Sequence, residues 1–392
     1  MTVKQAERNL RLALLLRVFA KRVFLPLYAV YFTQVAGFSL KELGLLGAVF
    51  SLVGLISEVP TGYFADRFGR VRSIRVSGIL NVIATLLYVF AQHKLGIFIG
   101  TCIEAVGYAF FAGAVEALVH DSLVVLGKEK QYTKVSSRIQ SRSLLINAGI
   151  IALVPMTYAI DPRAPFLIGT IAYCALFVTS LYLKDSQKVA EAHPIRLLTI
   201  SKLKNYRSFI AFAFIFGAFG ALYTGPSDMQ TLAFNEYGLN PELIGWLFAA
   251  ASILGAIIGV FIHYLKKLSI LQYAALDVFI VSIAFATYGT GNLIASSVAF
   301  LCGMSFWRYR KIIYQDHLLD RYKTRYKATL LSVMNNAEQL HAIWVPILAG
   351  GLVYKFGFLV AFRVLSGVAI VVGGIFIIST YSFLSKRIKI YQ

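Results

Sequence analysis

The chain has 392 residues, of which 58% are hydrophobic and 14% charged, with a formal net charge of +20 and a mean hydropathy of +0.71. Soluble domains carry roughly a quarter charged residues. A chain this apolar has too little polar surface to stay in water, so composition excludes a soluble globular domain, a fibre and a disordered chain. In hydrocarbon only helices or closed barrels satisfy the backbone. Barrel strands alternate apolar and polar residues over about ten positions, whereas stretches such as 74–91 and 368–383 are continuously apolar. The predicted class is an all-α polytopic membrane protein.

The N-terminus, with Lys4, Arg8 and Arg11, is basic and amphipathic. It reads as a cytoplasmic lead into the first span rather than a signal peptide. Apolar windows of about 19 residues then predict twelve transmembrane helices. They cover 12–35, 42–64, 74–92, 95–118, 143–160, 164–183, 208–234, 242–264, 269–289, 293–312, 328–353 and 358–383. Of the 38 Lys and Arg residues, 27 fall in the termini and in the turns that an even span count places with them. Only Lys41, Lys94, Arg163 and Lys355 fall on the other side. Basic residues favour the cytoplasmic side, so both termini are predicted cytoplasmic. The excess charge is spread over every cytoplasmic turn at the level of anionic headgroups, which argues against nucleic acid as a partner. Cys102, Cys174 and Cys302 each lie in an apolar run without a metal-ligand spacing, and no metal or catalytic cluster is expected.

Two stretches repeat at about half the chain length. Gly62–Arg70 leaves span 2 as Gly259–Lys267 leaves span 8, at an offset of 197. His120–Leu123 leaves span 4 as Gln315–Leu318 leaves span 10, at an offset of 195. The predicted organisation is an N-terminal six-helix bundle over 1–183, a cytoplasmic linker over 184–207 and a C-terminal six-helix bundle over 208–392. Parallel repeats of this kind place a central site between two halves.

Between spans 2 and 3, Gly62, Asp66, Arg67, Gly69, Arg70 and Arg72 form a Gly-x-x-x-Asp-Arg-x-Gly-Arg-x-Arg run. This resembles the signature that the major facilitator superfamily carries in the same loop. The resemblance implies the fold of that superfamily, alternating access, and a cytoplasmic gate built on those six residues. On physical grounds Gly62 is expected to permit close helix approach and Gly69 a tight turn. Asp66 is expected to serve a neighbouring helix N-terminus. In the second copy His263 replaces the Asp, which weakens any symmetric lock. Glu58-Val-Pro60-Thr-Gly62 and Glu116–Leu123 also resemble a bacterial drug-efflux-like branch. Two departures stand against that branch. Ile103 occupies the place, four residues before Gly107, where many members carry Arg, and span 5 offers only Gly149 and Pro155 for a Gly-Pro-rich motif.

A charge in the bilayer interior costs at least about 2.5 kcal/mol, so each one needs a reason. In the superfamily that the signature resembles, spans 1, 4, 7 and 10 line the cavity. In span 1, Arg17 and Lys21 are predicted to share a helical face, with Lys21 or Arg22 turned to the cavity. Glu104 lies near mid-depth of span 4 with Tyr108 and Phe111 on its face. It serves either as a proton-coupling acid or in a structural ion pair, with Lys21 as a cation within reach. Lys21, Arg22, Glu104 and Tyr108 are thus the candidates for substrate binding and proton coupling. Glu58, Glu116, His120, Asp121, Arg308 and Lys311 are inner-gate candidates, with Glu116 able to meet His120 or, across the halves, Lys311. Asp228, after Gly225-Pro226, is a candidate for the outer gate.

The expected function is a secondary active transporter, not an enzyme, that exports amphipathic compounds in exchange for protons across a bacterial cytoplasmic membrane. A proton-coupled carrier of an anionic metabolite or siderophore-like compound is the alternative. No cofactor is implied beyond the proton gradient. The expected partners are a small-molecule substrate and the lipid bilayer, and the chain is expected to act as a monomer.

Overall fold

A computed structural model describes residues 1–91, 93–185, 207–265, 267–321 and 327–385. Every regular element among them is helical, as a backbone without access to water requires. In chain order the helices are α1 (Val3–Phe19), α2 (Tyr28–Gln34), α3 (Leu40–Phe68), α4 (Arg70–Phe90), α5 (Lys94–Val125), α6 (Tyr132–Leu153) and α7 (Ala164–Leu181). They continue as α8 (Arg207–Thr224), α9 (Ser227–Glu236), α10 (Pro241–Val260), α11 (Ile262–Leu265), α12 (Ile270–Tyr288), α13 (Leu293–Arg321) and α14 (Lys327–Ser385). Most of the expected linker, residues 186–206, lies outside the described residues.

Nine helices among the described residues are long and apolar enough to cross a membrane. Three local features separate this number from the twelve predicted spans. Predicted spans 11 and 12 run together as α14, in which Gly357 departs from helical geometry at φ 75° and ψ 169°. Predicted span 10, α13, carries Arg308, Arg310 and Lys311. Predicted span 1 is broken: α1 stops at Phe19, a 3₁₀ turn over Leu25–Leu27 carries Pro26, and α2 resumes at Tyr28. Proline removes a donor and disfavours helix in the residue before it. The break leaves Lys21 beyond the end of α1, so the expected shared helical face of Arg17 and Lys21 does not form.

Contacts divide the chain into two compact units. One comprises Met1–Ala36, Val49–Arg196 and Pro241–Ala249; the other comprises Gly37–Ala48, Leu197–Asn240 and Ala250–Gln392. The two short exchanged segments have a steric origin. At Gly44 the start of α3 lies so close to Pro346 of α14 that a Cβ would run into the Pro346 carbonyl. At Gly245 the start of α10 meets Ile151 and Pro155 in the same way. Backbones approach this closely in membranes only through small residues.

Within the first unit α4 packs on α5 and α7, joined by Thr170 Oγ1 donating to Thr85 Oγ1 at 2.9 Å. Phe24, Phe32, Tyr88 and Phe166 form a buried aromatic cluster, with Phe24 stacked on Phe166 and Phe32 edge-on to Tyr88. Within the second unit α8 packs along α14 around Phe212, Phe216, Phe219 and Phe376.

The turn from α3 into α4 consists of Gly69 alone, at φ 107°. No local side chain caps α4. Instead Val71 N–H donates to Asp185 Oδ1 at 2.9 Å from 114 residues away. The residue before Asp185 is clamped by Asn9, whose amide donates to the Lys184 carbonyl at 2.8 Å and accepts from its N–H at 3.2 Å. Asp66 forms its ion pair with Arg70, so the anion serving this helix N-terminus is Asp185 and not Asp66. The expected close approach at Gly62 is also corrected, since a Cβ there would meet nothing within 4 Å.

Gly69→Ala would force a left-handed backbone on a side chain that collides with the Asp185 carboxylate. It is expected to cost about 1–3 kcal/mol, read as a lower Tm of the purified protein; an unchanged Tm would contradict this account. Burial pushes the Asp185 carboxyl above the ordinary range, outweighing the Val71 and Arg70 N–H groups and the nearby Arg72 and Arg75. A carboxyl raised on folding contributes stability at low pH and loses it as pH climbs from about 3.9 through its folded value. Asp185→Asn should therefore flatten the decline of Tm across that window. A slope equal to the parent's would refute the assignment.

Candidate functional site

The break after α1 places Arg22 on a short non-helical segment facing α5. Its Nη2 donates to Glu104 Oε2 at 2.9 Å, and its Nε lies 2.8 Å from Oε1. The pair thus carries one charge-assisted hydrogen bond, through Nη2, while the Nε–Oε1 contact is ionic without hydrogen-bond geometry. Glu104 is 1% exposed. Tyr88 OH donates to its Oε2 at 2.8 Å and lies 3.4 Å from Thr101 Oγ1. Arg22 also lies over the rings of Phe50 at 4.8 Å and Tyr28 at 5.2 Å.

This pair opens onto a pocket lined by Ala20, Arg22, Ser77, Asn81, Glu104, Tyr108, Phe111 and Tyr173. Beside the ion pair the lining combines the rings of Tyr108, Phe111 and Tyr173 with the neutral polar groups of Ser77 and Asn81. The expected neighbours of Glu104 on its helix face, Tyr108 and Phe111, both line it. Lys21 is not among the lining residues, and the cation that meets Glu104 is Arg22. The signal for this choice is Pro26: it breaks the span just where Arg22 needs to leave a helical path.

In the last turn of α1, Arg17 Nη2 donates to Glu116 Oε1 at 2.8 Å and the same guanidinium donates to Gln140. Within its own unit Glu116 is therefore held by Arg17 rather than by His120. His120 Nδ1 lies 3.8 Å from Asp121, and its ring meets Tyr132 edge-on. Glu58 is exposed on α3. In the second unit Lys311 Nζ lies 3.8 Å from Glu338. Arg308 Nη2 reaches Ser252 at 3.5 Å, and its Nε faces Gly255. In the turn after α3, Arg67 donates to Tyr63 OH at 2.8 Å, beside the Asp66–Arg70 pair and Gly69. Asp228 stands in the first turn of α9, just past the Gly225-Pro226 joint.

The second unit holds a buried pair that sequence reasoning passed over. Arg310 Nε donates to Asp277 Oδ2 at 2.7 Å, and Tyr314 OH donates to the same oxygen at 3.2 Å. Asp277 is 0% exposed and Arg310 2%. The available signal was Asp277 itself, the one charged residue in the run 269–289. Among the described residues no group of three or more His, Cys, Asp or Glu side chains is placed to hold a metal ion.

The chain is 23% identical over 371 residues to the MFS-type transporter YxaM of Bacillus subtilis (strain 168), covering 90% of each chain. It is 25% identical over 240 residues to Multidrug resistance protein 2 of the same organism, covering 58% of each. Among solved structures, the nucleoside transporter NupG superposes with a TM-score of 0.79 at 12% identity, over 99% of this chain and 100% of that one. The peptide transporter PepTSo superposes with a TM-score of 0.75 at 10% identity, over 99% of each. These likenesses are of fold. The pattern of the Major Facilitator Superfamily matches residues 10–346, and the chain belongs to that superfamily of transporters.

Proposed function

We propose that this multi-pass membrane protein is a secondary active transporter that exports amphipathic compounds in exchange for protons, with Glu104 as the coupling acid. The carrying observation is the buried Glu104–Arg22 pair on the wall of a pocket with aromatic lining. In this reading the pairs α1–α2 and α8–α9 and the two arms of α14 about Gly357 complete twelve spans. Both termini are cytoplasmic, and the turn around Asp66, Gly69 and Arg70 is the inner gate. The membrane is the cytoplasmic membrane of a bacterium, the chain works as a monomer, and the proton gradient is its only drive.

The chemistry runs as an exchange at one carboxylate. With Glu104 ionised, Arg22 is neutralised in place and the pocket wall carries no net charge from the pair. The pocket has about 10 Å³ of open volume here, room for one water, so in this reading a flat or lipophilic solute packs against Tyr108, Phe111 and Tyr173 in a state where the pocket widens. A proton added to Glu104 ends the charge pairing, leaves Arg22 cationic beside the solute, and disfavours a lipophilic cation held there. One proton moving across 100 mV supplies about 2.3 kcal/mol, enough for a tens-fold gradient of a neutral solute at about 1.4 kcal/mol per tenfold; a monovalent cation exchanged one for one moves no net charge and is driven by the pH difference alone. The likeness to a multidrug resistance protein supports the export arm.

Carriage of an anionic metabolite or siderophore-like compound is the second reading, favoured by Lys21 lying next to Arg22 in the chain. The two readings part on Lys21→Ala, which should abolish uptake or export of an anion and leave a lipophilic cation nearly unaffected. The primary test uses proteoliposomes with an internal pH dye. Lipophilic cations are expected to evoke proton movement with the parent protein, and Glu104→Gln should lower the rate at least about 100-fold, the scale set by losing a positioned proton carrier. Proton movement retained in Glu104→Gln would remove Glu104 from the coupling role, and a response confined to anionic solutes would overturn export of amphipathic compounds.

A further inference from the structure

Arg310 lies between two carboxylates. Its Nε holds Asp277 Oδ2 at 2.7 Å, and its Nη2 donates to the Phe216 carbonyl at 3.3 Å. Its Nη1 lies 3.0 Å from the point where a Cβ on Gly220 would stand, and Glu338 Cδ lies 3.4 Å from that same point. The missing side chain of Gly220 thus leaves an open lane between the Arg310 guanidinium and Glu338. Glu338 in turn is 3.8 Å from Lys311. Around the guanidinium stand the rings of Phe216 at 4.0 Å, Trp307 at 4.6 Å and Tyr314 at 5.2 Å. Faces of this kind attract a cation wherever it sits within the cage.

Asp277 is held on one oxygen only. Oδ2 accepts from Arg310 and Tyr314, while Oδ1 is buried with no hydrogen-bond partner. The other ionisable groups facing it are Tyr273 from its own helix, Tyr223 from α8 and Glu338 from α14. The Tyr273 hydroxyl is likewise buried and unpartnered. Leaving buried polar atoms unpaired is costly in a packed bundle, and an open carboxylate lone pair is where a proton adds.

We infer that Asp277, Arg310 and Glu338 form a second proton-operated switch, in the C-terminal unit, separate from Glu104. A proton from the aqueous phase adds to Asp277 Oδ1, and the carboxyl becomes neutral. Arg310 remains protonated throughout. Its Nη1 then passes along the Gly220 lane to the Glu338 carboxylate, which gives up its contact with Lys311. Loss of the proton from Asp277 reverses each move. The inference rests on the transporter reading but not on Glu104 carrying the exported solute's proton.

Trp307 reports on the cage directly. In a Trp246→Phe/Trp344→Phe background, full-length protein in nanodiscs is titrated with acid and the emission of Trp307 is followed. The parent background is expected to show a step in emission, and Glu104→Gln should leave that step in place. Asp277→Asn should remove it, as should Asp277→Asn/Arg310→Gln, a pair without net buried charge that guards against misfolding of the single variant. Glu338→Gln is expected to move the midpoint to lower pH, because the protonated state loses its acceptor for Arg310, and Gly220→Ala should do the same by obstructing the lane. Absence of a step in the parent background, or its survival in Asp277→Asn, would overturn the assignment. A step that disappears in Glu104→Gln would assign it to the first unit instead, and an unmoved midpoint in both Glu338→Gln and Gly220→Ala would overturn the passage of Arg310.

Discussion

Charge in hydrocarbon is the constraint on which the rest of this structure depends. A buried ion without a partner costs several kcal/mol, and breaking a buried pair costs about 3–5 kcal/mol. Four described carboxylates within the spans have a cation close by: Glu104 has Arg22, Glu116 has Arg17, Asp277 has Arg310 and Glu338 has Lys311. These contacts constrain local geometry. Arg22 reaches Glu104 from the non-helical segment between α1 and the turn that carries Pro26. Arg310 fits beside α8 because Gly220 carries no side chain there. Helix breaks and small residues stand where buried charge has to be satisfied.

The two halves answer the same constraint differently. The half-length repeat is visible in the turns after spans 2 and 8, but the buried acids do not repeat. Glu104 is on α5 and its base comes from the broken first span, whereas Asp277 is on α12 and its base comes from α13. The position 196 residues before Asp277 is Asn81, a neutral amide that donates to the Ser77 carbonyl at 2.8 Å and lines the first pocket. Repetition preserved the helical scaffold, while the titratable groups settled where each half had a cation within reach. Fold similarity to transporters of nucleosides and peptides at 10–12% identity fits this separation, since scaffold and chemistry vary independently.

Much of the helical layout was legible because apolar length and the clustering of arginine in turns are local properties of the chain. Glu104 was legible for the same reason, as a lone carboxyl at mid-depth with Tyr108 and Phe111 at helical spacing. What escaped was long-range or depended on a break in periodicity. Helical spacing favoured Lys21 as a partner only if span 1 were continuous, and Pro26 removes that premise. Asp185 serves α4 from 114 residues away, so the composition of the turn after α3 held no trace of it. Asp277 and Arg310 are 33 residues apart on different helices, and Arg310 sits within a run of basic residues that reads equally well as a headgroup-facing end. Gly62 fits the loop signature, yet no neighbour approaches it.

Both arginines that pair with these buried carboxylates are surrounded by aromatic rings. Arg22 lies over Phe50, Tyr28 and Phe24, and Arg310 over Phe216, Trp307 and Tyr314. Each such contact is worth about 0.5–2 kcal/mol and stabilises the cation in either protonation state of its carboxylate. Aromatic content of 14% is thus more than a lipid-facing belt: at these two points it surrounds the cation that a buried carboxylate requires.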